Sequence, residues 1–444
     1  MAALPVPQGN DAGPLGHNPR SRIAQWARKD RNVAAVPEVN AVDRTRRTIL
    51  GTCSGAHFIH DGFSDVLYLL LPLWQSEFGL SLTQVGMVRS LYSGAMATTQ
   101  LPIGFLSERW GEPRLLSLGT AITALGFIAL GLAGGLAALI ALLLLAGAGS
   151  GAQHPLCASL VSKTYEGGPQ RAALGIYNFS GDLGKMAVPL FAALIISELN
   201  WRASTVGYGT MGLLGALAIL LILASSGTGD APASKRDSSA PGTHVGWGIQ
   251  NPRGFSCLVL IGILDSASRT AFLTFLPFLL IDKGADVETV GLALALVFGG
   301  GAAGKFFCGF LAERLGIVRT VIVTEMITCG GIALLLPLPL VAALALLPLV
   351  GLGLNGTSSV LYGSVAEFLA PERRSRGFSL FYTLGIGAGA VSPFLFGSLG
   401  DRIGVEPVLA IIAALVLIIV PLAFLLRGNS HRQRMNDDPV GGDM

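Results

Sequence analysis

The sequence predicts an all-α membrane protein of twelve transmembrane helices arranged as two pseudo-symmetric six-helix bundles. Three observations predict it. The 444-residue chain is 51% hydrophobic and 13% charged, whereas charged residues make up roughly a quarter of an ordinary soluble domain. Apolar runs of about 18 residues or more, the length a helix needs to cross a bilayer, recur along most of the chain. The charged turn GFLSERWGEPR (Gly104 to Arg114) returns as GFLAERLGIVR (Gly309 to Arg319), 205 residues later.

Residues 1–48 are polar and lack an apolar core before a small-residue cleavage site, so they read as a cytoplasmic tail and not a secretory signal. Within them SRIAQWARKDR (Ser21 to Arg31) is either disordered or a basic helix on the membrane surface. The first bundle, residues 49–224, holds spans at 50–76, 83–107, 113–134, 136–162, 170–197 and 203–224. A Ser-, Gly-, Pro- and Ala-rich stretch, residues 225–252, reads as a slack cytoplasmic linker. The second bundle, residues 253–427, holds spans at 254–281, 287–311, 317–335, 338–369, 376–399 and 406–427, and residues 428–444 form a cytoplasmic tail. Clustered glycines such as GAGSGA (Gly147 to Ala152) let helix backbones approach closely. Pro72, Pro189, Pro277 and Pro393 are expected to bend their helices.

Adding 205 to a position of the first half lands on its counterpart in the second: Pro72 on Pro277, Gly86 on Gly291, Arg109 on Arg314, Gly151 on Gly356. An even number of spans separates the copies, so both halves point the same way. That is the arrangement of transporters whose halves are related by an axis along the membrane normal. Orientation follows from Lys and Arg, which favour short cytoplasmic loops. With the amino terminus inside, 23 of the 30 lie in cytoplasmic segments, three (Arg202, Lys283, Arg402) in outer loops and four (Arg89, Lys185, Arg269, Lys305) within spans. The net charge of +3 therefore reflects topology and gives no support to a nucleic-acid partner. Five cysteines sit singly and suggest neither a disulfide framework nor a zinc site.

The repeated turn resembles the signature loop of the major facilitator superfamily, Gly-x-Leu-Ala-Asp-Arg-x-Gly followed by basic residues. Gly104, Leu106, Arg109 and Gly111 match, as do Gly309, Leu311, Ala312, Arg314 and Gly316, with Glu108 and Glu313 in place of Asp. A narrower likeness is to the fosmidomycin resistance proteins, a bacterial branch of drug exporters. It rests on HFIHDGFSDVLYLLLPLWQSEFGLSLTQVG (His57 to Gly86), GSGAQHP (Gly149 to Pro155) and GIYNFSGDLGKMAVPL (Gly175 to Leu190). His60, Asp182 and Lys185 depart from that branch. The resemblance implies the major facilitator fold, placement in a bacterial inner membrane and export of a drug-like compound.

Residue chemistry supplies candidate sites. Each ionisable group at a span centre costs about 2.5–3.5 kcal/mol unless it is paired or faces water. Asp61 and Asp65 share a face of span one, and two close carboxylates repel, so one of them becomes able to carry a proton. They are the candidate proton-coupling site, with His57 and His60 as auxiliaries or as packing residues. Asp265 with Arg269, and Asp182 with Lys185, are spaced to neutralise each other within a helix, or to part when a ligand binds. With Arg89, Gln100, His154, Asn178, Asn355 and Tyr382 these are the candidate substrate contacts, although each polar group alone is more often glue between helices. Glu325 and Glu367 are expected nearer the cytoplasmic ends. Gly104, Glu108, Arg109, Gly111, Arg114, Gly309, Glu313, Arg314, Gly316 and Arg319 are the candidate cytoplasmic gate, a latch of reversible charge-assisted bonds or ordinary topology control.

Enzyme signatures are missing: GGGAAGK (Gly299 to Lys305) has the wrong spacing for a phosphate loop and lies inside a span. No cofactor or metal is expected. The expected partners are a small-molecule substrate, protons and the lipid bilayer, with the chain a monomer. The leading expectation is proton-coupled export of a small amphiphilic or anionic compound. Uptake or exchange of an anion centred on Arg89, Lys185 and Arg269 is the second, and a membrane sensor or assembly component that moves nothing is the third.

Overall fold

A computed structural model describes residues 36–225, 249–370 and 374–426. Most of the predicted amino-terminal tail, all of the predicted carboxy-terminal tail, the basic stretch Ser21 to Arg31 and most of the predicted linker lie outside those residues. By their contacts Met1–Arg47 and Thr48–Met444 are separate units, and the second contains the spans.

The first six spans are α1 (Val36–Phe78), α2 (Leu82–Trp110), α3 (Glu112–Leu130), the pair α4 (Leu136–Ser150) and α5 (Gln153–Thr164), α6 (Gln170–Glu198) and α7 (Trp201–Ser225). The last six are α8 (Pro252–Asp282), α9 (Val287–Leu315), α10 (Ile317–Leu335), α11 (Leu340–Ser364) with a short 3-10 turn after it, α12 (Arg374–Ile403) and α13 (Val405–Leu417), which resumes after a turn to reach Leu426. Ten of these spans are long and apolar enough to cross a membrane on composition alone. The other two, α1 and α2, are interrupted by polar side chains that belong to the site described below.

Helix ends repeat with the sequence. Ser81 and Gln84 form a capping box at the start of α2. Asp286, 205 residues on, caps α9 by accepting from the Thr289 N–H at 2.8 Å. Gly111 (φ 82°) ends α2 and opens α3, and Gly316 (φ 79°) does the same between α9 and α10. A left-handed residue at that junction is what glycine supplies without strain. The twice-written turn is therefore one backbone device used at equivalent corners.

The halves meet along two seams, α2 against α12 and α6 against α9. Both are closed by the same contact. A side chain at Gly86 would overlap the Pro393 carbonyl, and one at Gly291 would meet the Pro189 carbonyl at 3.2 Å and overlap Ala193. Gly86 and Gly291 are repeat counterparts, and the two prolines, in spans five and eleven, fall within one position of each other in the repeat.

The core shows where the halves join. One buried cluster takes in Phe63, Leu67, Trp74 and Phe127 from the first half with Phe272, Leu294, Leu347 and Val408 from the second. Toward the end where α1 enters at Thr48 and the chain leaves after Leu426, here called the near end, the core divides. Ile49, Cys53, Leu115, Leu156 and Leu223 form one cluster, and Phe255, Leu258, Val321, Phe368 and Ile419 a separate one. Gly104, Gly175 and Gly309, on the near-end stretches of the seam helices, have nothing within 4 Å of a would-be side chain. The seams are thus shut at the far end and parted at the near end.

Candidate functional site

On α1, His57, His60, Asp61 and Asp65 fall at i, i+3, i+4 and i+8 and so share a face. All four are at most 7% exposed. Facing them, span four is broken: Gly151 packs against Thr99 and the Met96 carbonyl of α2 with no room for a side chain, and a turn follows before α5 begins. His154, at the start of α5, reaches the α1 face.

Asp61 is the hub. Its carboxylate lies 3.3 Å from His57 Nε2, 3.8 Å from His154 Nε2, 3.9 Å from His60 Nε2 and 3.3 Å from Lys185 Nζ of α6. Lys185 also stands 4.0 Å from Asp65. His57 is fixed from behind, its ring stacked on Tyr177 and its Nδ1 2.8 Å from the Tyr177 carbonyl. Since a carbonyl only accepts, Nδ1 carries a proton. His60 and His154 bring their Nε2 atoms within 3.2 Å.

Asp182 and Lys185 do not neutralise each other as their spacing suggests. Lys185 turns to α1, whereas Asp182 pairs across the seam with Lys305 of α9 at 2.5 Å. Both residues find closer partners on neighbouring helices than along their own. Asp265 and Arg269 do pair within α8, at 3.6 Å. Arg89 is buried, lies over the Tyr68 ring at 4.7 Å, and donates to the Tyr68 hydroxyl at 3.0 Å and to Ser93. Tyr68 itself approaches Phe298 of the other half, with ring centroids 6.5 Å apart.

Among the described residues, the remaining candidates form no hydrogen bond or ion pair with this hub. Asn355 donates to the Gly351 carbonyl of its own helix at 3.5 Å, and Tyr382 stacks on Tyr362 at 4.6 Å. Asn178 is exposed on α6, and Gln100 lies 11 residues, about 16 Å, along α2 from Arg89. Glu325 is not near a helix end: α10 begins at Ile317, so residue 325 falls at its middle, where it is 2% exposed with one carboxylate oxygen unpartnered. Glu367 is exposed. Glu108, Arg109, Arg114, Glu313, Arg314 and Arg319 are all exposed, and among the described residues no ion pair joins them. Glu112 in the same loop does pair, with Lys163 of α5 at 2.9 Å.

Sequence reasoning missed the cross-seam role of Lys305, the tyrosines around Arg89 and the ring of Tyr177 behind His57. Only the tyrosines carried a signal, as polar-tipped residues on the same helix faces as the charges.

The geometry is that of a cluster of buried charged and polar side chains along the middle of the spans, with the Asp182–Lys305 pair joining one half to the other. A family model described as Major Facilitator Superfamily matches residues 53–256 and 258–442. The chain is 26% identical over 408 residues to the fosmidomycin resistance protein of Escherichia coli K12, covering 88% of this chain and 95% of that protein. It is 24% identical over 382 residues to a probable sulfoacetate transporter of Cupriavidus necator, covering 81% and 89%. Among solved structures, a bacterial homologue of the human lysosomal transporter Spinster, inward-facing and unoccupied, superposes with a TM-score of 0.74 at 16% identity, covering 87% of this chain and 98% of that one.

Proposed function

Because the chain belongs to the Major Facilitator Superfamily, it is an integral membrane transporter, and we propose that it exports a small amphiphilic or anionic compound in exchange for protons by alternating access. In this reading the protein sits as a monomer in a bacterial cytoplasmic membrane with both termini inside, which makes the near end the cytoplasmic one. The predicted domain limits are kept: bundles at residues 49–224 and 253–427 moving about the far-end seams.

The observation that carries the proposal is the placement of Lys185 between two carboxylates, 3.3 Å from Asp61 and 4.0 Å from Asp65, beside the cross-seam pair Asp182–Lys305. An anionic group entering from the near end competes with the carboxylates for Lys185 and Lys305. A proton arriving at Asp65 from the far side removes one claim on Lys185, and the lysine returns to Asp61 as the substrate leaves. Loss of the Asp182–Lys305 pair unties the α6–α9 seam, linking occupancy to rocking. His57 and His60 hold the Asp61 end of this exchange. The exposed charges of the repeated turns become the latch that forms when the near end closes.

A second reading, uptake or exchange of an anion, is favoured by the relative named for sulfoacetate, a molecule that carries only negative charge. Reconstituted vesicles distinguish the two. Proton flux driven by phosphonates or amphiphilic drugs, lost in Asp65→Asn and kept in Arg269→Ala, supports export. Counterflow of small sulfonates or carboxylates that survives Asp65→Asn and is lost in Arg269→Ala replaces it with exchange.

A further inference from the structure

The Asp61 hub holds more nitrogen ligands than an exchange of carboxylate partners requires. His57, Asp61 and His154 place ligand atoms within 4.8 Å of one another, and His60 Nε2 lies 3.2 Å from His154 Nε2 and 3.9 Å from Asp61. A tetrahedral zinc site, with bonds of about 2.0–2.1 Å, sets its donor atoms about 3.3 Å apart. Two approaches, His60 to His154 at 3.2 Å and His57 to one Asp61 oxygen at 3.3 Å, match that edge; His154 and His60 lie 3.8 and 3.9 Å from the other Asp61 oxygen, and the His57, Asp61 and His154 donors all fall within 4.8 Å, so the side chains close in by about half an ångström or more on binding.

Two features show that the arrangement is more than a packing of rings. With a proton on His57 Nδ1, held by the Tyr177 carbonyl at 2.8 Å, Nε2 is the ring nitrogen turned to a carboxylate oxygen 3.3 Å away. That space is bridged either by a second ring proton or by a metal ion bound to both atoms. An outer hydrogen bond from the far ring nitrogen to a backbone carbonyl is also the usual support of a metal-bound histidine, because it fixes the tautomer and the ring plane. His57, His60 and Asp61 are buried, whereas the His154 side chain is 42% exposed and gives the ion an entry side.

We infer that His57, His60, Asp61 and His154 form a binding site for one divalent transition-metal ion of the zinc, cobalt or nickel type. Imidazole and carboxylate ligands suit these ions and discriminate against magnesium and calcium, which take oxygen donors. The site goes beyond the proposed exchange of a substrate for protons, since it binds whatever is carried. Lys185 is its built-in competitor. A dication at Asp61 repels the ammonium 3.3 Å away, and Asp65, 4.0 Å from the same nitrogen, is the place to which it withdraws. Metal binding therefore leaves Lys185 paired and pulls it off the hub.

The test uses untagged, detergent-purified full-length protein in which His17, His244 and His431 are replaced, so that no other histidine remains. Zinc is titrated by calorimetry, and cobalt is followed by its visible absorption, whose intensity reports four-coordinate geometry. The expected result is one bound ion, with affinity lowered about 10–100-fold or more in His57→Ala and His154→Ala, raised in Lys185→Met, and with no signal from magnesium. A rise in unfolding temperature on zinc addition, present in the parent and absent in His154→Ala, keeps the outcome readable if a variant folds poorly. Equal zinc affinity in the parent and His154→Ala, no binding by the parent, or weaker binding in Lys185→Met overturns the inference. None of these measurements depends on transport, so failure here and failure of the proton-exchange reading are separate results.

Discussion

Replacing Gly86 by alanine should push the far-end seam apart and shift the protein away from the state described. The added carbon would overlap the Pro393 carbonyl oxygen, a backbone atom that cannot swing aside as a side-chain tip would. Forcing an extra carbon into a close-packed contact costs about 1–3 kcal/mol, which corresponds to about a 5–150-fold change in the balance between two conformations. Gly291→Ala, at the equivalent place, meets Ala193 first and the Pro189 carbonyl at 3.2 Å, so part of its strain is relieved by a side chain and its effect is smaller. Gly104→Ala and Gly309→Ala are internal controls, having nothing within 4 Å. Spin labels at the exposed far-end positions Asn200 and Glu288, one on each half, would report the change as a longer distance population in pulsed dipolar measurements. An unchanged distribution in Gly86→Ala, or a shift of equal size in Gly104→Ala, would refute the seam argument.

Other perturbations probe the remaining contacts. Lys305→Met strands Asp182; stranding one member of a fully buried pair costs about 3–5 kcal/mol, and the 34% exposure of the lysine side chain brings this to about 1–2 kcal/mol. Thermal unfolding should show the loss, with most of it recovered in the double variant with Asp182→Asn; a double variant no better than the single removes the pair from the account. Asp401 of α12 accepts from the N–H groups of Leu82 (2.6 Å) and Thr83 (3.0 Å) at the start of α2. Asp401→Ala should therefore weaken far-end closure by about 0.5–2 kcal/mol, the worth of a helix cap, whereas Asp401→Asn keeps most of it; identical spin-label distances in both variants would say otherwise. Arg109→Ala and Arg314→Ala leave exposed, unpaired positions in this state, so unfolding temperatures should hold while transport rates fall; a large drop in thermal stability would mean these arginines are structural.

Much of the fold was legible because it rests on chemistry local in sequence. Apolar span length and the glycines of the repeated corners act within a few residues, so two copies 205 apart read as two copies of one bundle. The site was legible only in part. Spacing correctly paired Asp265 with Arg269, where both partners lie on one helix, and failed for Asp182 and Lys185, whose partners come from other helices. No one-dimensional pattern announces that Gly151 breaks span four and brings His154 onto residues 94 positions earlier. Glu325 was misplaced because hydropathy locates a span but not the depth of one residue within it. The short motif His57-Phe-Ile-His60-Asp61, with two imidazoles and a carboxylate on one face, was the available hint of a cation site.

The central claim is a single mid-membrane chamber reached from one side at a time, and its most direct measurement is the sidedness of chemical access to His154. In a background lacking the five native cysteines, His154→Cys should react with a membrane-impermeant thiol reagent applied from the near-end face and resist it from the far-end face, with far-side labelling appearing once Gly86→Ala is added. Equal labelling from both faces of the unperturbed seam, or labelling from the far-end face alone, would contradict the account.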